Sequence, residues 1–582
     1  MKNTVAITAD LCYNIHIEGK RGMHMEQFKP IPIGVEDFKR LIDDGYYFVD
    51  KTLMIRDIIE SKGSVKLFTR PRRFGKTLNM SMIQRYFEKT EEDNSHLFDG
   101  LNISKAGEKY KEYQGQYPVI TLSLKSMKQP SYEYAFKMFK TFLVREFERH
   151  DYILKCDAVP PTLKSGFEQI YYGIAEDSAY VNAIRLLSDC LSIVHQKNVI
   201  ILIDEYDVPL ENAYFRGFYD EMVDLIRSAF ESALKTNSSL EFGVLTGCLR
   251  ISKESIFTGL NNLKVNSITT LDFSEYFGFT RAEVEAFAAA YHIEERLDDI
   301  KDWYDGYLFG KTEIYNPWSI INFISDARAN RHALIKPYWS NTSSNDIIHQ
   351  LINEGNEETR RQIEELLGGG FVDKPIYEDI TYRNVKINSD YIWSFLLFTG
   401  YLKQIESRLE EEIIYSKMVI PNREVKSIYR STVMQWFEEK RNAVSRDDLF
   451  EAVLQGDEEQ FEELLGDWLD ESISYYDGKE LYYHGFLSGL LSGFRGYTVK
   501  SNRESGLGRP DLLILERRRH KLAVIIEIKV AERFAEMETK CDEALQQIED
   551  RNYEAELVDD CYQKIIKYGV AFYQKSCRVK MA

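Results

Sequence analysis

The sequence has little that would place it in a membrane or outside a cell. No apolar run approaches the length of a transmembrane helix, and the first residues lack the long apolar core of a signal peptide. The seven cysteines (Cys12, Cys156, Cys190, Cys248, Cys541, Cys561, Cys577) are scattered, odd in number and without a C-x-x-C pair. That pattern argues against a disulfide framework or a zinc site and for a reducing cytoplasm. Positive charge is also short. Lys and Arg number 74 against 93 Asp and Glu, a net charge of −19, which opposes general affinity for nucleic acid because phosphate binding needs positive charge. There is no internal repeat and no low-complexity tract. The 582 residues are enough for about three domains. A hydrophobic fraction of 44% suits soluble domains with substantial cores.

The most informative stretch runs from Val65 to Thr77, V-K-L-F-T-R-P-R-R-F-G-K-T. A short apolar run reads as a buried strand, a basic turn follows, and Gly75-Lys76-Thr77 opens a helix from Leu78 to Phe87. Strand, loop and helix N-terminus in that order are the context of a phosphate-binding loop. Lys76 can reach β- and γ-phosphates, and the Thr77 hydroxyl can hold Mg²⁺. Arg72, Arg73, Phe74 and Gly75 complete the loop. One departure from G-x-x-x-x-G-K-[ST] is Arg70, which stands where the first glycine belongs. Asn198 to Asp207, N-V-I-I-L-I-D-E-Y-D, reads as a central parallel strand with acids at its C-terminal edge, where open α/β sheets bind ligands. Asp204 is placed to order Mg²⁺ and Glu205 to orient or deprotonate the attacking water. Val119 to Leu124 and Leu240 to Thr246 supply two more strands. At the end of the latter, Thr246 reads either as a γ-phosphate sensor or as an ordinary strand-end hydroxyl. Arg250 reads as a cation for transition-state charge or as a surface ion pair.

Several further segments carry a resemblance. They are Pro32-Ile33-Gly34 with Asp37-Phe38, Tyr47 to Thr52, Arg70 to Thr77, Ile203 to Asp207, Leu245-Thr246-Gly247, Ser255 to Leu263, and Trp303-Tyr304-Asp305-Gly306-Tyr307. From about Pro30 to Asn345 the chain resembles a prokaryotic family of AAA-like ATPases. In that family R-P-R-R-F-G-K-T looks like the usual phosphate loop. The resemblance implies ATP as the nucleotide and Mg²⁺ as its metal. Family members commonly carry a C-terminal domain similar to PD-(D/E)xK nucleases.

The C-terminal residues show that pattern themselves. Gly506 to Asp511 precedes an apolar strand from Leu512 to Leu515, a basic hairpin (Arg517, Arg518, Arg519, His520, Lys521) follows, and Leu522 to Val530 is the next strand. Glu527 and Lys529, two apart, point to one face, and Asp511 can meet them from the neighbouring strand. Two carboxylates can bind Mg²⁺ or Mn²⁺, and the ammonium can serve a hydrolytic water. Glu480, at the start of a helix ahead of this core, resembles the helix carboxylate of such sites, although the helix macrodipole favours an acid there anyway. Gln547, on a helix after the core, can contact a nucleic-acid backbone or solvent. From Arg495 to Arg533 ten Lys and Arg stand against five Asp and Glu, so the local charge is positive. Arg509 and the Arg517–Arg519 cluster are placed to hold phosphates.

The region between these cores reads as helical: Arg281–Tyr291 with Thr280 and Glu283 as a capping box, Asn345–Leu367 stopped by Gly368-Gly369-Gly370, Tyr391–Phe398, Arg446–Leu454 and Glu458–Leu465. A strand precedes Val419-Ile420-Pro421-Asn422. The triple glycine is the candidate hinge. The expected fold is therefore α/β: a leader or extension over 1–27, a P-loop AAA-like (ASCE) domain with a parallel sheet over 28–270, a helical connector over 271–470 and a restriction-endonuclease-like α/β domain over 471–582. The expected activity is ATP hydrolysis that controls metal-dependent cleavage of nucleic acid, DNA in the first place. The alternative is a nucleotide-controlled switch whose C-terminal fold only binds DNA or a protein. A homo-oligomer is compatible with either, and no membrane partner is implied.

Overall fold

The computed structural model describes residues 28–582 apart from 236, 251–255, 258–261, 340–356, 379, 381–389, 440–445, 473–479, 502–509 and 518–520. Residues 1–27, expected as a leader or extension, most of Ser255 to Leu263, the first part of the helix expected from Asn345, and Arg509, Arg518, Arg519 and His520 lie outside the described residues.

The run Val65–Thr69 forms strand β1 with all five residues buried, as a strand covered on both faces requires. Helix α1, Lys76–Phe87, leaves its C-terminal end. Strands β2 (Val119–Ser123), β3 (Val199–Asp204), β4 (Leu240–Gly247) and β5 (Leu263–Asn266) complete a parallel sheet in the order β2-β3-β4-β1-β5. One strand, β4, therefore separates the loop strand β1 from the acid strand β3. In register, Phe68 faces Thr246 and Ile203 faces Leu245. The ends of all three strands meet at one edge. Helices Tyr132–Arg149 and Ala183–His195 pack against β2 and β3.

The next region departs from the helical expectation. Helix α2 (Arg281–Ala290) carries the anticipated capping box, with Thr280 and Glu283 each bonded to the other's backbone. Around it, β6 (Phe279–Thr280), β7 (Tyr307–Phe309) and β8 (Thr312–Tyr315) form a three-stranded antiparallel sheet in the order β6-β8-β7. Helix α3 is Pro317–Ala329 and α4 is Glu357–Leu367. A second antiparallel sheet follows, β9 (Val372–Ile376), β10 (Lys403–Glu410) and β11 (Ile413–Val419), in the order β10-β11-β9. The region expected as a helical connector is mixed, not helical. The strands were unreadable because β6 and β7 are two and three residues long. In addition β10, K-Q-I-E-S-R-L-E, is built of helix formers that cross-strand pairing with β11 overrides. Helices Asp390–Phe398 and Arg446–Gln455 lie where expected, and the one beginning at Glu458 runs on to Ser472.

Helix α5, Arg423–Glu439, follows β11. Its entry is tied to the W-Y-D-G-Y segment. Gly306 has φ +102°, and a Cβ there would sit 2.2 Å from the Pro421 carbonyl oxygen, so only glycine lets the two backbones meet. Beside it, the Asn422 amide donates to the Asp305 carbonyl at 2.7 Å.

The C-terminal core opens with α6, Glu480–Leu490. Strands β12 (Tyr497–Ser501), β13 (Leu512–Glu516), β14 (Leu522–Val530), β15 (Lys564–Tyr573) and β16 (Ser576–Met581) pair in sequence order, and α7 (Met537–Asp550) crosses between β14 and β15. That crossover makes β14 and β15 parallel while their other neighbours are antiparallel. Leu487, Ile526 and Tyr568 belong to a core separate from the one holding Phe68 and Leu245.

Candidate nucleotide and metal sites

The loop between β1 and α1 bends sharply at Gly75 (φ +81°), a left-handed residue that starts the helix. Lys76 follows at the helix N-terminus, where backbone N–H groups and the macrodipole favour an anion. Its buried ammonium donates to the Arg70 and Pro71 carbonyls, both at 3.0 Å. Burial pulls this ammonium down, but Cys248 and the carboxylates of Glu205, Asp207 and Asp204 more than offset that and hold it above its ordinary value. The Thr77 hydroxyl donates to Asp204 Oδ2 at 2.8 Å. The Thr246 hydroxyl donates to Asp204 Oδ1 at 2.5 Å, and the Glu205 N–H donates to Thr246 Oγ1 at 3.2 Å. Sequence separations of 127 and 42 residues thus close to one hydroxyl–carboxylate–hydroxyl chain linking the first turn of α1 to the ends of β3 and β4. Thr246 is spent on holding Asp204 and is 1% exposed.

Lys76, Thr77 and Glu205 line a cavity of about 390 Å³. Apolar side chains share the lining, with Tyr47, Phe279, Phe287, Trp318 and Ile321 on the wall. Tyr47 and Phe287 stack with centroids 4.3 Å apart. The other loop residues divide their tasks. Arg72 pairs with Glu211. Arg73 has φ +69° and lays its guanidinium 4.4 Å from the Trp318 ring. The Phe74 ring is buried against Tyr307 and Phe309 and anchors the loop to the core; with Arg72 and Arg73 the residue also lines the cavity. Arg250 does not line the cavity; it lies 3.8 Å from Glu378, the ion-pair alternative of the two.

Arg70, the departure from the glycine pattern, explains itself. It is wholly buried and donates to the carbonyls of Thr69 (2.9 Å), Asn266 (2.7 Å) and Phe273 (3.3 Å), between the rings of Phe277 and Phe309. The residue staples β1 to β5 from inside the sheet, and burial lowers its guanidinium to about 9, still charged at neutral pH. Asp207 was missed as a structural acid. It accepts from the Cys248 and Leu249 N–H groups at 2.7 and 3.1 Å, and burial raises it to about 6. Trp318 and Tyr47 were also missed, since nothing in their local pattern separates a cavity wall from core.

In the C-terminal half, Leu512 pairs with Ile526, which brings Asp511 beside Glu527. The Asp511 N–H donates to Glu527 Oε2 at 3.3 Å, and Asp511 Oδ2 accepts from the Ile528 N–H at 2.9 Å. Lys529 Nζ lies 3.6 Å from Glu527 Oε1 and donates to Gln547 Oε1 at 2.7 Å. The Gln547 amide donates in turn to Glu527 Oε1. Gln547 therefore bridges the acid and the cation. Glu527 is 2% exposed; burial, then the Asp511 charge, raises it to about 7, while Lys529 pulls it down. Glu480 is the first residue of α6. Among the described residues no three His, Cys, Asp or Glu cluster as metal ligands, so the described donor set is the two carboxylates. Two hard oxygen donors side by side, Glu527 buried and Asp511 half-buried, suit a divalent cation such as Mg²⁺ or Mn²⁺. Among the described residues no helix is long and apolar enough to cross a membrane.

Comparison with known proteins agrees with this geometry. Residues 32–257 match the family model described as predicted AAA-ATPase, and residues 478–582 match that of the PD-(D/E)XK nuclease superfamily. The chain is also similar to a protein of Azotobacter chroococcum mcd 1 described as an uncharacterized protein in the vnfD 5′ region. The two are 23% identical over 538 residues, 90% of this chain and 93% of that protein. The chain carries an AAA-ATPase-like domain and a PD-(D/E)XK superfamily domain, as the motifs implied.

Proposed function

We propose that the chain is an ATP-binding and ATP-hydrolysing P-loop NTPase of the ASCE type whose nucleotide cycle controls a Mg²⁺-dependent, PD-(D/E)xK-type nuclease acting on nucleic acid. The division is a P-loop domain over 28–270, a connector over 271–470 and a nuclease-like domain over 471–582. The observation that carries the reading is the pairing, in one chain, of two arrangements suited to phosphate. One is the Lys76 and Thr77–Asp204–Thr246 cluster. The other is the Asp511–Glu527 pair with Lys529 on the same strand.

In this reading Lys76 neutralises phosphate charge, and Thr77 with Asp204 holds Mg²⁺. Glu205 orients the water, and the apolar part of the cavity lining takes the base. When bound, Mg²⁺ supplies charge neutralisation at the phosphates. At the second site Asp511 and Glu527 hold the metal, with Glu480 as a further ligand, and Lys529 serves the hydrolytic water under the hand of Gln547. Arg517 and its neighbours meet the nucleic-acid backbone, DNA in the first place.

The alternative, a switch that only binds, is favoured by the net charge of −19 and by the engagement of Lys529 with Gln547. End-labelled DNA and RNA incubated with Mg²⁺ or Mn²⁺ separate the two. Cleavage by the wild type and none by Asp511→Ala or Lys529→Ala supports the nuclease. Binding without cleavage by the wild type supports the switch.

A further inference from the structure

We propose that His484 is a positioning residue of the C-terminal site: its imidazole holds the main chain of Asp511 so that the carboxylate meets a divalent metal ready-oriented. The proposal rests on the reading of Asp511 and Glu527 as metal ligands. His484 lies on α6 and is 6% exposed. Its Nε2 is 2.9 Å from the Asp511 carbonyl oxygen and 3.3 Å from Ser501 Oγ. A carbonyl can only accept, so the ring carries its hydrogen on Nε2. Ser501 ends β12 and Asp511 precedes β13, and Ser501 pairs with Leu512 in the sheet. One ring thus clamps the point where the chain leaves one strand and the point where it enters the next.

Asp511 is then fixed at three places. Its C=O accepts from His484, its N–H donates to Glu527, and its Oδ2 accepts from the Ile528 N–H. A ligand already pinned loses little freedom when it binds a metal, which is the usual service of groups just outside a coordination sphere. The turn of α6 that carries His484 is anchored. Its neighbour Tyr483 stacks on Phe572 with centroids 4.3 Å apart and donates its hydroxyl hydrogen to the Gln574 carbonyl at 2.8 Å. Helix α6 also packs against α4 and α5 of the connector. A displacement of those helices would therefore reach Asp511 through His484, which gives the nucleotide-bearing half a physical hold on the metal site.

The test is Mn²⁺ affinity of the full chain, measured by titration with electron paramagnetic resonance of free Mn²⁺, for wild type, His484→Ala and His484→Gln. Asp511→Ala serves as the control without the site. His484→Ala should weaken Mn²⁺ binding about ten- to a hundred-fold. His484→Gln, whose amide N–H can reach the same carbonyl, should recover most of it. ATP hydrolysis should be unchanged in both. If His484→Ala does not fold, His484→Gln against His484→Leu makes the same comparison with and without a donor. A histidine that only stabilises the fold would lower the unfolding midpoint and leave the Mn²⁺ affinity of folded protein at the wild-type value, and that result overturns the proposal. Wild type that binds no more Mn²⁺ than Asp511→Ala overturns the metal reading itself, and the two failures are distinct.

Discussion

Glu424 should make the N-terminal half less stable as pH rises toward neutrality, and Glu424→Gln should remove that dependence. The side chain is fully buried at the start of α5. Its Oε1 accepts from the Trp339 N–H at 2.8 Å and its Oε2 from the Ser319 hydroxyl at 2.7 Å. Burial raises its carboxyl from 4.5 to about 7, those bonds offsetting only part of the cost. The folded state therefore binds the proton more tightly than the unfolded chain. The contribution is complete below the unfolded value of 4.5 and is lost as pH rises through about 7. A shift of this size at 1.36 kcal/mol per pH unit gives about 3 kcal/mol in all. Glutamine cannot ionise, keeps an acceptor for Trp339, and offers an amide to Ser319, whose hydroxyl can turn to accept. Urea unfolding followed by tryptophan fluorescence at pH 5, 6, 7 and 8 reads the difference. The variant should gain about 2–3 kcal/mol on the wild type between pH 5 and pH 8. Two curves that stay parallel over that range would refute the reasoning. The position matters because Ser319 adjoins Trp318 on the cavity wall, so Glu424 ties that wall to α5.

Three further expectations follow from the same geometry. Lys76→Ala should abolish ATP binding in calorimetric titration, whereas Glu205→Gln should bind ATP and lose hydrolysis by about a hundred-fold or more; wild-type phosphate release from Glu205→Gln removes it as the water-orienting group. Mn²⁺ affinity at the C-terminal site should rise about ten-fold per pH unit below 7, because Glu527, held near 7, must give up its proton to ligate. Affinity that is flat between pH 6 and 8 contradicts this. Arg70→Met should cost about 3 kcal/mol, since three buried carbonyls lose their donor at roughly 1 kcal/mol each; an unchanged thermal melt would show that the staple is idle.

The parts readable in the sequence are those where a local pattern and a chemical signal coincide. The apolar run before Gly75 and the run ending in Asp204-Glu205 each announce a buried strand with chemistry at its end, and both strands form as read. Thr280 and Glu283 are a helix start written in four residues. What stayed hidden depends on distant partners. Arg70 looked like an objection because its destination, the carbonyls of Asn266 and Phe273, lies some 200 residues away along the chain. The cavity wall at Trp318 comes from beyond the expected edge of the P-loop domain. Gln547 read equally as a surface or a contact residue until the bridge between Lys529 and Glu527 was visible. The short strands of the connector exist because of their neighbours and carry no periodicity of their own.

The central claim is control of the second site by the first. It is tested most directly by the rate of Mg²⁺-dependent cleavage of one labelled DNA with no nucleotide, with ATP, and with ATP supplied to Glu205→Gln, which binds but does not turn over. The account predicts that the three rates differ, and that Lys76→Ala with ATP behaves like wild type without nucleotide. Equal cleavage under all of these conditions, with ATP demonstrably bound, would contradict it.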